Sequence, residues 1–413
     1  MKLSPEEEQM LEGKMGYPAQ KGMEILYQLG QIYGAEKMIQ IENVHMPGSS
    51  VVVAGNAGTR FVEQMAERRG SFKTMTTLNT SAIDFDKWRE LGFEAATHEQ
   101  QMRLTAAYAK MGALPCHSCT PYLIGNTPRF GEHVAWGESS AIAFVNSVFG
   151  ARTNREGGPS AIAAALTGRV PAYGFHLQEN RYGNYLINVT VPLNEVVDYG
   201  SLGYYVGKIV KSKVPVFTGI PQNVSMDELK MLGAALASSG SVALFHIVGV
   251  TPEALTLADA FGPNTPEQTI EFGEQQLREA RQNLNKNAGQ EVSMVVLGCP
   301  HLSISELQEV AKKLVNKKIK ESVRLWIITA QPNRAYAERC GFAEIIRAAG
   351  GELVSDTCPI LAPMAEVRAK FPIQSIATNS AKLAHYAPGQ WALPTHYGTL
   401  DQCIDAALTG RFK

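Results

Sequence analysis

The sequence predicts an α/β protein built from parallel strand–helix layers, and three observations carry that reading. Short apolar or β-branched runs punctuate the second half, at Val216–Thr218, Val242–Val248, Met294–Leu297, Arg324–Thr329 and Glu352–Val354. Helix-periodic stretches separate most of them, which is the texture of strands joined by helical crossovers. Hydrophobic residues make up 45% of the chain and charged residues only 19%, so it can bury large cores. Its 413 residues suit two or three domains at about 150 residues each. Lys and Arg total 38 against 39 Asp and Glu, which excludes a chain-wide basic footprint for nucleic acid.

The first sixteen residues are acidic and polar, without the apolar core of a signal peptide or the Arg/Ser pattern of a transit peptide. Periodicity then predicts a helix over Lys21–Tyr33, with Met23, Ile25, Leu26 and Leu29 on one face. Met38–Val44 reads as extended and runs into His45-Met46-Pro47-Gly48-Ser49-Ser50. Phe72–Leu78 reads as extended and ends in Asn79-Thr80-Ser81. Helices are expected over Asp84–Leu91 and His98–Met111, then a polar loop Pro115–Gly131, an apolar helix Ser139–Phe149 and a glycine-rich turn Thr153–Pro159. In the second half, helices are expected over Asp227–Ser238, Pro266–Asn285, Ile304–Val315, Arg334–Ala349 and Leu400–Leu408. The uncharged run Met231–Pro252 reads as a helix end, a turn and a buried strand rather than a membrane span. A soluble cytoplasmic protein is the expectation. Texture changes near 195–215, which divides the chain into 1–205 and 206–413.

Six cysteines are too few for a disulfide scaffold in a chain of this length. Cys299 follows an apolar strand in Gly298-Cys299-Pro300-His301, and Ser303 with Glu306 forms a capping box just after it. The positive end of that helix is expected to favour thiolate at Cys299. Cys358 repeats the arrangement in Asp356-Thr357-Cys358-Pro359. Cys116 and Cys119 form a lone C-x-x-C, and no second C-x-x-C exists to complete a zinc ribbon. The Pro-bounded loop is not the strand–helix setting of a redox pair. Two readings remain: buried structural thiols, or three thiolates from separate loops around an iron–sulfur cluster with one open iron. Cys340 and Cys403 read as core packing.

Other polar groups have two readings each. Trp136-Gly137-Glu138-Ser139-Ser140 is either an ordinary helix start or a carboxylate and hydroxyls offered to a ligand. Arg152 and Arg155 flank the Gly157-Gly158 turn, as solvated arginines or as an anion site. Gly48, Ser49, Ser50, Asn79 and Thr80 sit in strand-end loops that either turn or touch ligand. Lys382 is either solvated or an anion clamp, and His301 and His385 are either structural or functional.

Together these stretches resemble the aconitase X family, and within it the large subunit. The resemblance is carried by Thr76-Thr77-Leu78-Asn79, Cys119-Thr120-Pro121-Tyr122-Leu123, the segment Gly131–Ser140, the segment Asn146–Ser160, Gly298-Cys299-Pro300-His301 and Asp356-Thr357-Cys358-Pro359. It implies aconitase-like multi-layer α/β domains around a central iron–sulfur cleft, without the swivel domain. It implies a hydro-lyase that removes water from a small anionic hydroxy acid. (R)-5-Phosphomevalonate is preferred and cis-3-hydroxy-L-proline is the alternative. The implied iron ligands are Cys119, Cys299 and Cys358, holding a [4Fe-4S] cluster or alternatively a [2Fe-2S] or mononuclear iron centre. The implied substrate contacts are Gly48, Ser49, Ser50, Asn79, Thr80, Glu138, Ser139 and Lys382. Arg152 and Arg155 are added for the substrate anion, and Glu138 and His301 for proton transfer or a bond to the hydroxyl. The missing swivel domain and its catalytic serine are expected on a separate small subunit. A membrane or nucleic-acid role is not expected. The alternative of another class is a non-catalytic zinc- or RNA-binding protein.

Overall fold

The computed structural model describes residues 1–285 and 289–413. Three parallel sheets form the framework, each built by the helical crossovers that parallel strands require. The N-terminal part runs α1 (Pro5–Leu11), α2 (Tyr17–Ile32), β1 (Met38–Gln40), β2 (Asn43–Met46), α3 (Val51–Glu67) and β3 (Met75–Leu78). It continues with α4 (Trp88–Leu91), α5 (Ala95–Lys110), β4 (Ala135–Trp136), α6 (Ser139–Ser147), α7 (Gly158–Thr167) and β5 (Arg169–Pro171). Its parallel sheet has the order β3-β2-β4, while β1 and β5 pair antiparallel beside it.

The middle part runs β6 (Tyr185–Val189), α8 (Val196–Val210), β7 (Pro215–Thr218), α9 (Met226–Gly240), β8 (His246–Ile247), α10 (Leu257–Phe261), β9 (Gln268–Phe272) and α11 (Glu274–Leu284). Its sheet has the order β8-β7-β6-β9. The expected boundary near 195–215 falls inside α8. Strand β6 before it pairs with β7 after it, so hydrogen bonds tie residues on both sides of 205 into one sheet.

The last part begins with β10 (Met294–Leu302), α12 (Ile304–Leu314), β11 (Arg324–Thr329), α13 (Gln331–Arg339), α14 (Phe342–Ala349) and β12 (Glu352–Ser355). It ends with α15 (Met364–Lys370), β13 (Ile376–Thr378), α16 (Ala381–Trp391), β14 (Thr395–Tyr397) and α17 (Leu400–Thr409). The order β12-β11-β10-β13-β14 puts β10 at the centre, and all nine of its residues are buried. A strand covered on both faces reads as an unbroken apolar run, as Met-Val-Val-Leu does here.

Several expectations shift in the structure. Pro266–Asn285 is a strand and then a helix. Gln-Thr-Ile-Glu-Phe alternates, with Ile270 and Phe272 buried, and Gly273 separates it from α11. Arg334–Ala349 is two helices, broken where Gly341 takes φ 76°. Only His246–Ile247 of Val242–Val248 is strand, and only Trp88–Leu91 of Asp84–Leu91 is α-helix. Cys403 is buried, but Cys340 ends α13 on the solvent side and is exposed. Helix α3 had no prediction. Its Val-Val-Val start and its two glycines weaken the helical signal, and it kinks at Gly55, φ 58°. Among the described residues no helix is long and apolar enough to cross a membrane.

Two sheets share one core. Val44, Met46 and Leu78 of the N-terminal sheet cluster with Val296, Cys299, Ile328, Val354 and Ile376 of the C-terminal sheet. Beyond the strand ends, Ser81 and Thr357 form a parallel bridge, Ser81 N donates to Asp356 O at 2.8 Å and Cys358 N donates to Ser81 O at 3.2 Å. The loops that follow β3 and β12 are therefore stitched together, which brings the carboxyl ends of two parallel sheets to one place. In open α/β sheets that end is where ligands bind.

Candidate active site

Strand geometry explains how the site assembles. Thr77, His45 and Trp136 are register partners on β3, β2 and β4, so their side chains share one face. Two residues further along, the same face presents Asn79 from β3 and Glu138 from β4. Gly137 permits the close approach of the neighbouring loop: a Cβ there would meet Pro47 Cγ at 2.1 Å. From the other sheet, β13 leads to Ser380, the N-cap of α16, and the first turn of α16 carries Lys382. Ser380 Oγ donates to the backbone oxygen of Cys299, which fixes the start of α16 to β10.

Glu138 and Lys382 are the electrostatic centre. Lys382 Nζ lies 2.6 Å from Glu138 Oε1, and the two side chains are only 9% and 15% exposed. Asn79 Nδ2 donates to Glu138 Oε2 at 3.1 Å, and Ser140 Oγ to Oε1 at 3.0 Å. Ser139 Oγ reaches the same oxygen at 3.4 Å. Glu138 is also the N-cap of α6, accepting from Ser140 N at 3.3 Å, so its two readings are one arrangement. Burial alone would raise Glu138, but the Lys382 charge and the Ser140 donors outweigh it and hold the carboxyl down to about 2. Lys382 is desolvated too, yet Glu138 and the nearby thiols push its pKa up. Both groups are charged at neutral pH.

Cys119, Cys299 and Cys358 come together around this pair. Cys358 acts electrostatically on both of the others, and Lys382 pulls all three toward thiolate. Burial wins in the free protein: it raises all three thiols, Cys299 to about 12. The expected helix-dipole stabilisation of a Cys299 thiolate is therefore outweighed by desolvation. Gly298 lets β10 pass close to β11, with φ 110° and space where a Cβ would meet Ile328 O at 2.2 Å. Cys116 stands apart from the set, bonded to Leu78 O at 3.5 Å and raised to about 11 by burial. Among the described residues, no three His, Cys, Asp or Glu side chains converge to grip a single metal ion. The donor set is three soft thiols with a buried cation beside them, and thiolates of this kind suit iron–sulfur clusters.

His301 links the thiol loops. Its backbone N–H donates to Cys119 Sγ at 3.2 Å and its Nε2 lies 2.9 Å from Thr357 O. A carbonyl oxygen only accepts, so the ring proton is on Nε2 and Nδ1 presents a bare lone pair. Burial lowers this histidine to about 4, so it is neutral.

Unpartnered polar atoms crowd the same region. His45 Nε2, Ser50 Oγ, Asn79 Oδ1, Thr80 Oγ1, Tyr122 OH and His301 Nδ1 are all buried without a hydrogen-bond partner. Each such atom costs about 1–3 kcal/mol in a folded protein. Four of the six, on His45, Asn79, Tyr122 and His301, belong to residues that Glu138 bonds or acts on electrostatically, and they mark a place built for a polar ligand. Ser49, in contrast, is spent on structure: its Oγ donates to Asn79 O at 2.6 Å. Gly48 (φ 71°) faces Gly158 across a cavity of about 470 Å³ that Pro47, Gly157 and Pro159 also line.

The two arginines separate from this centre. Arg152 donates to His176 O at 3.3 Å and to Gln178 Oε1, and makes no contact with Glu138 or Lys382 among the described hydrogen bonds. Arg155 is exposed on the turn that leads to Gly157. A further cavity of about 430 Å³ is lined by Asp227, Glu228 and Glu306 and by none of the three thiols. Its carboxylates are engaged as helix caps or with the buried Lys230.

Two supporting residues had no signal in the sequence. Gln101 is fully buried on α5. It accepts from Val51 N at 3.2 Å and Ala82 N at 3.1 Å, and donates to Ser49 O at 2.8 Å. It thereby holds the loops after β2 and β3 together. His45 is also fully buried, with Nδ1 2.9 Å from Thr77 Oγ1.

Burial lowers His45 to about 4. The sign follows directly: as pH falls below about 6.5 the unfolded chain takes up the proton first, so this group's contribution to stability is lost between about 6.5 and 4. Urea unfolding at pH 7 and 4.5 is expected to show a loss of about 2–3 kcal/mol from this group. The measure is the difference between the wild type and His45→Gln, which lacks the titration. Equal pH slopes for the two would show that His45 is solvated.

Family models match almost the whole chain: aconitase X first domain over residues 1–179, second domain over 183–282 and third domain over 292–409. The chain belongs to the aconitase X family. The phosphomevalonate dehydratase large subunit of Methanothermobacter thermautotrophicus is 43% identical, over 95% of each chain. That of Methanocaldococcus jannaschii is 40% identical, over 98% of this chain and 99% of its own. The cis-3-hydroxy-L-proline dehydratase of Pseudomonas aeruginosa is 38% identical over 97% of this chain, which spans 69% of that protein. The holo-form crystal structure of Thermococcus kodakaraensis aconitase X superposes with a TM-score of 0.89 at 36% identity, covering 98% of this chain and all of that one. The aconitase-like α/β architecture is thus established for this protein.

Proposed function

We propose that this chain is the large subunit of a phosphomevalonate dehydratase, a hydro-lyase that converts (R)-5-phosphomevalonate to trans-anhydromevalonate 5-phosphate. One observation carries the reading: the ionised Glu138–Lys382 pair stands among three thiols and four unpartnered polar atoms at the carboxyl ends of two parallel sheets. The relatives that match end to end support this substrate over the cyclic amino acid. Their name, large subunit, supports a separate small subunit, and the swivel domain and catalytic serine are proposed to lie on it.

Cys119, Cys299 and Cys358 would hold an iron–sulfur cluster, which when bound supplies Lewis acidity toward the leaving hydroxyl.

The remaining work falls to the chain's own side chains. Glu138, held down to about 2, cannot donate a proton at neutral pH, so it accepts a hydrogen bond and orients. Lys382 donates, offering an ammonium to a substrate carboxylate without losing Glu138. His301 Nδ1 accepts from a hydroxyl or a water. Ser50, Asn79 and Thr80 supply the polar lining. Arg155, exposed on the turn leading to Gly157 and Gly158, meets the phosphate at the cavity mouth.

The test is turnover of (R)-5-phosphomevalonate and of cis-3-hydroxy-L-proline by the chain with and without its small subunit. Dehydration of the phosphate compound by the pair, and almost none by the chain alone, is expected. Turnover of only the proline compound would reassign the substrate. Robust turnover by the chain alone would remove the partner.

A further inference from the structure

The register between β10 and β11 stops at Leu297 and resumes at Leu302. Cys299 and His301 lie in that gap, where side chains help to hold the backbone. Ser380 Oγ donates to Cys299 O. Thr329 Oγ1 and Asn333 Nδ2 donate to Leu302 O at 2.6 and 3.2 Å. His301 O receives Lys230 Nζ at 3.3 Å. The first three donors belong to the C-terminal part of the chain. Lys230 stands on α9, in the middle part.

A buried ammonium is costly, and a packed apolar side chain would serve α9 at least as well. Lys230 is only 1% exposed, and its three protons meet three acceptors: Glu306 Oε2, Asp227 Oδ1 at 3.2 Å and His301 O. Both carboxylates grip the same loop. Glu306 Oε2 accepts from Ser303 N at 2.8 Å, and Asp227 Oδ2 accepts from Ser303 Oγ and Ser305 Oγ at 2.9 Å each. His301 is in turn where the thiol segments meet. Its N–H donates to Cys119 Sγ at 3.2 Å, and its Nε2 lies 2.9 Å from the oxygen of Thr357, the residue before Cys358.

We propose that Lys230 is a positioning residue for the thiol site: its ammonium fixes the His301 carbonyl, and so holds in place the His301 N–H that donates to Cys119 Sγ. Lys230 itself donates to none of the three thiols among the described hydrogen bonds. Without the ammonium, the carboxylates of Asp227 and Glu306 face the His301 carbonyl oxygen with no cation between them. The oxygen is repelled, the His301 backbone turns, and Cys119 loses its donor. The inference rests on the proposed iron–sulfur centre only for the iron arm of its test.

The chain has nine histidines, so a ¹⁵N-histidine label on the full metal-free protein gives a backbone amide spectrum simple enough to follow His301. His301→Gln assigns the signal. In Lys230→Met the His301 amide is expected to exchange with deuterium about 10–100-fold faster, the worth of a hydrogen bond to a charged donor. The amide of His246, on β8, is expected to keep its rate. Glu306→Gln is the comparison. It breaks a charge contact to the same ammonium but leaves Lys230 bonded to Asp227 and His301 O, so His301 is expected to stay protected. Lys230→Met combined with Glu306→Gln removes the ammonium without leaving two opposed carboxylates. It is expected to free the amide too, and it decides the matter if the single variant does not fold. A His301 amide as slow in the Lys230→Met proteins as in the wild type overturns the proposal. So does equal acceleration of all the histidine amides, or the same acceleration in Glu306→Gln, since either is a general loosening. In the second arm, iron-loaded protein is mixed with a ferrous chelator. Both Lys230→Met proteins are expected to release iron about 10–100-fold faster than the wild type, and Glu306→Gln at the wild-type rate. Wild-type release from both overturns the proposal. A chain that takes up no iron strikes the cluster reading alone, and the amide exchange still decides for Lys230.

Discussion

Cys299→Ala is expected to remove both the iron and the activity while leaving the fold in place. Cys299 lies inside the central strand β10, where its backbone, not its sulfur, carries the structural load. Its carbonyl oxygen receives Ser380 Oγ, so the start of α16 and the placement of Lys382 survive the substitution. Losing a single buried sulfur leaves a small cavity, worth about 1 kcal/mol. The functional loss is of another order. Lewis-acid assistance contributes several kcal/mol to a barrier, so turnover should fall about a thousandfold or more. Iron and sulfide analysis of anaerobically purified protein, with a thermal melt alongside, separates the two effects. Cys403→Ala is the control: that thiol is fully buried among Ile404, Ala406 and the β10 side chains. It is expected to cost stability and no iron. A Cys299→Ala protein that kept its iron would move the centre elsewhere.

The contrast between these cysteines shows what the sequence could carry. Cys299 and Cys358 are legible because each follows an apolar run in the sequence and precedes a proline, and that grammar points to the carboxyl edge of a sheet, although β10 itself runs on through Cys299 to Leu302. Glu138 is legible as a helix start or a ligand-facing carboxylate, and Lys382 as a solvated lysine or an anion clamp. That they meet depends on two sheets sharing one core, a property of the packing rather than of any local pattern. Arg152 shows the opposite case. Its neighbours Arg155, Gly157 and Gly158 look like an anion site, but its own chain direction sends the guanidinium to His176 and Gln178.

His45 and Gln101 had no signal because their roles are defined by hydrogen-bond partners 19 to 52 residues away. Gln101 is one polar residue in a helix rich in polar residues, and nothing local distinguishes its buried face from its exposed one. The helix α3 was hidden for a different reason. Its residues have preferences that tertiary contacts override, glycine and valine in a helix. The thiol pKa values also reverse the local argument. A helix N-terminus near Cys299 favours thiolate, but full burial reverses the balance, and a bound metal would be needed to displace the proton.

The largest stability effect is expected at the buried ion pair. Lys382→Met leaves Glu138 largely buried with no counter-charge, and breaking such a pair costs about 3–5 kcal/mol. The carboxyl escapes part of that cost by taking up a proton, since burial without Lys382 raises it. Glu138→Gln leaves the ammonium stranded in the same way, with Ser140 Oγ at 3.5 Å as its remaining partner. Replacing both partners removes both charges. Lys382→Met with Glu138→Gln should therefore recover most of the stability that either single change loses, because a neutral pair has no desolvation debt. Urea unfolding of the four proteins gives the coupling energy between the two positions. Activity should behave differently. The double variant has neither the ammonium proposed to meet a substrate carboxylate nor the ionised acceptor beside it, so it should remain as inactive as the worse single. Stability restored without turnover is the signature of a charge pair kept for chemistry. If both singles were as stable as the wild type, Glu138 and Lys382 would have to be solvated, and the site would not be the dry, charged cleft described above.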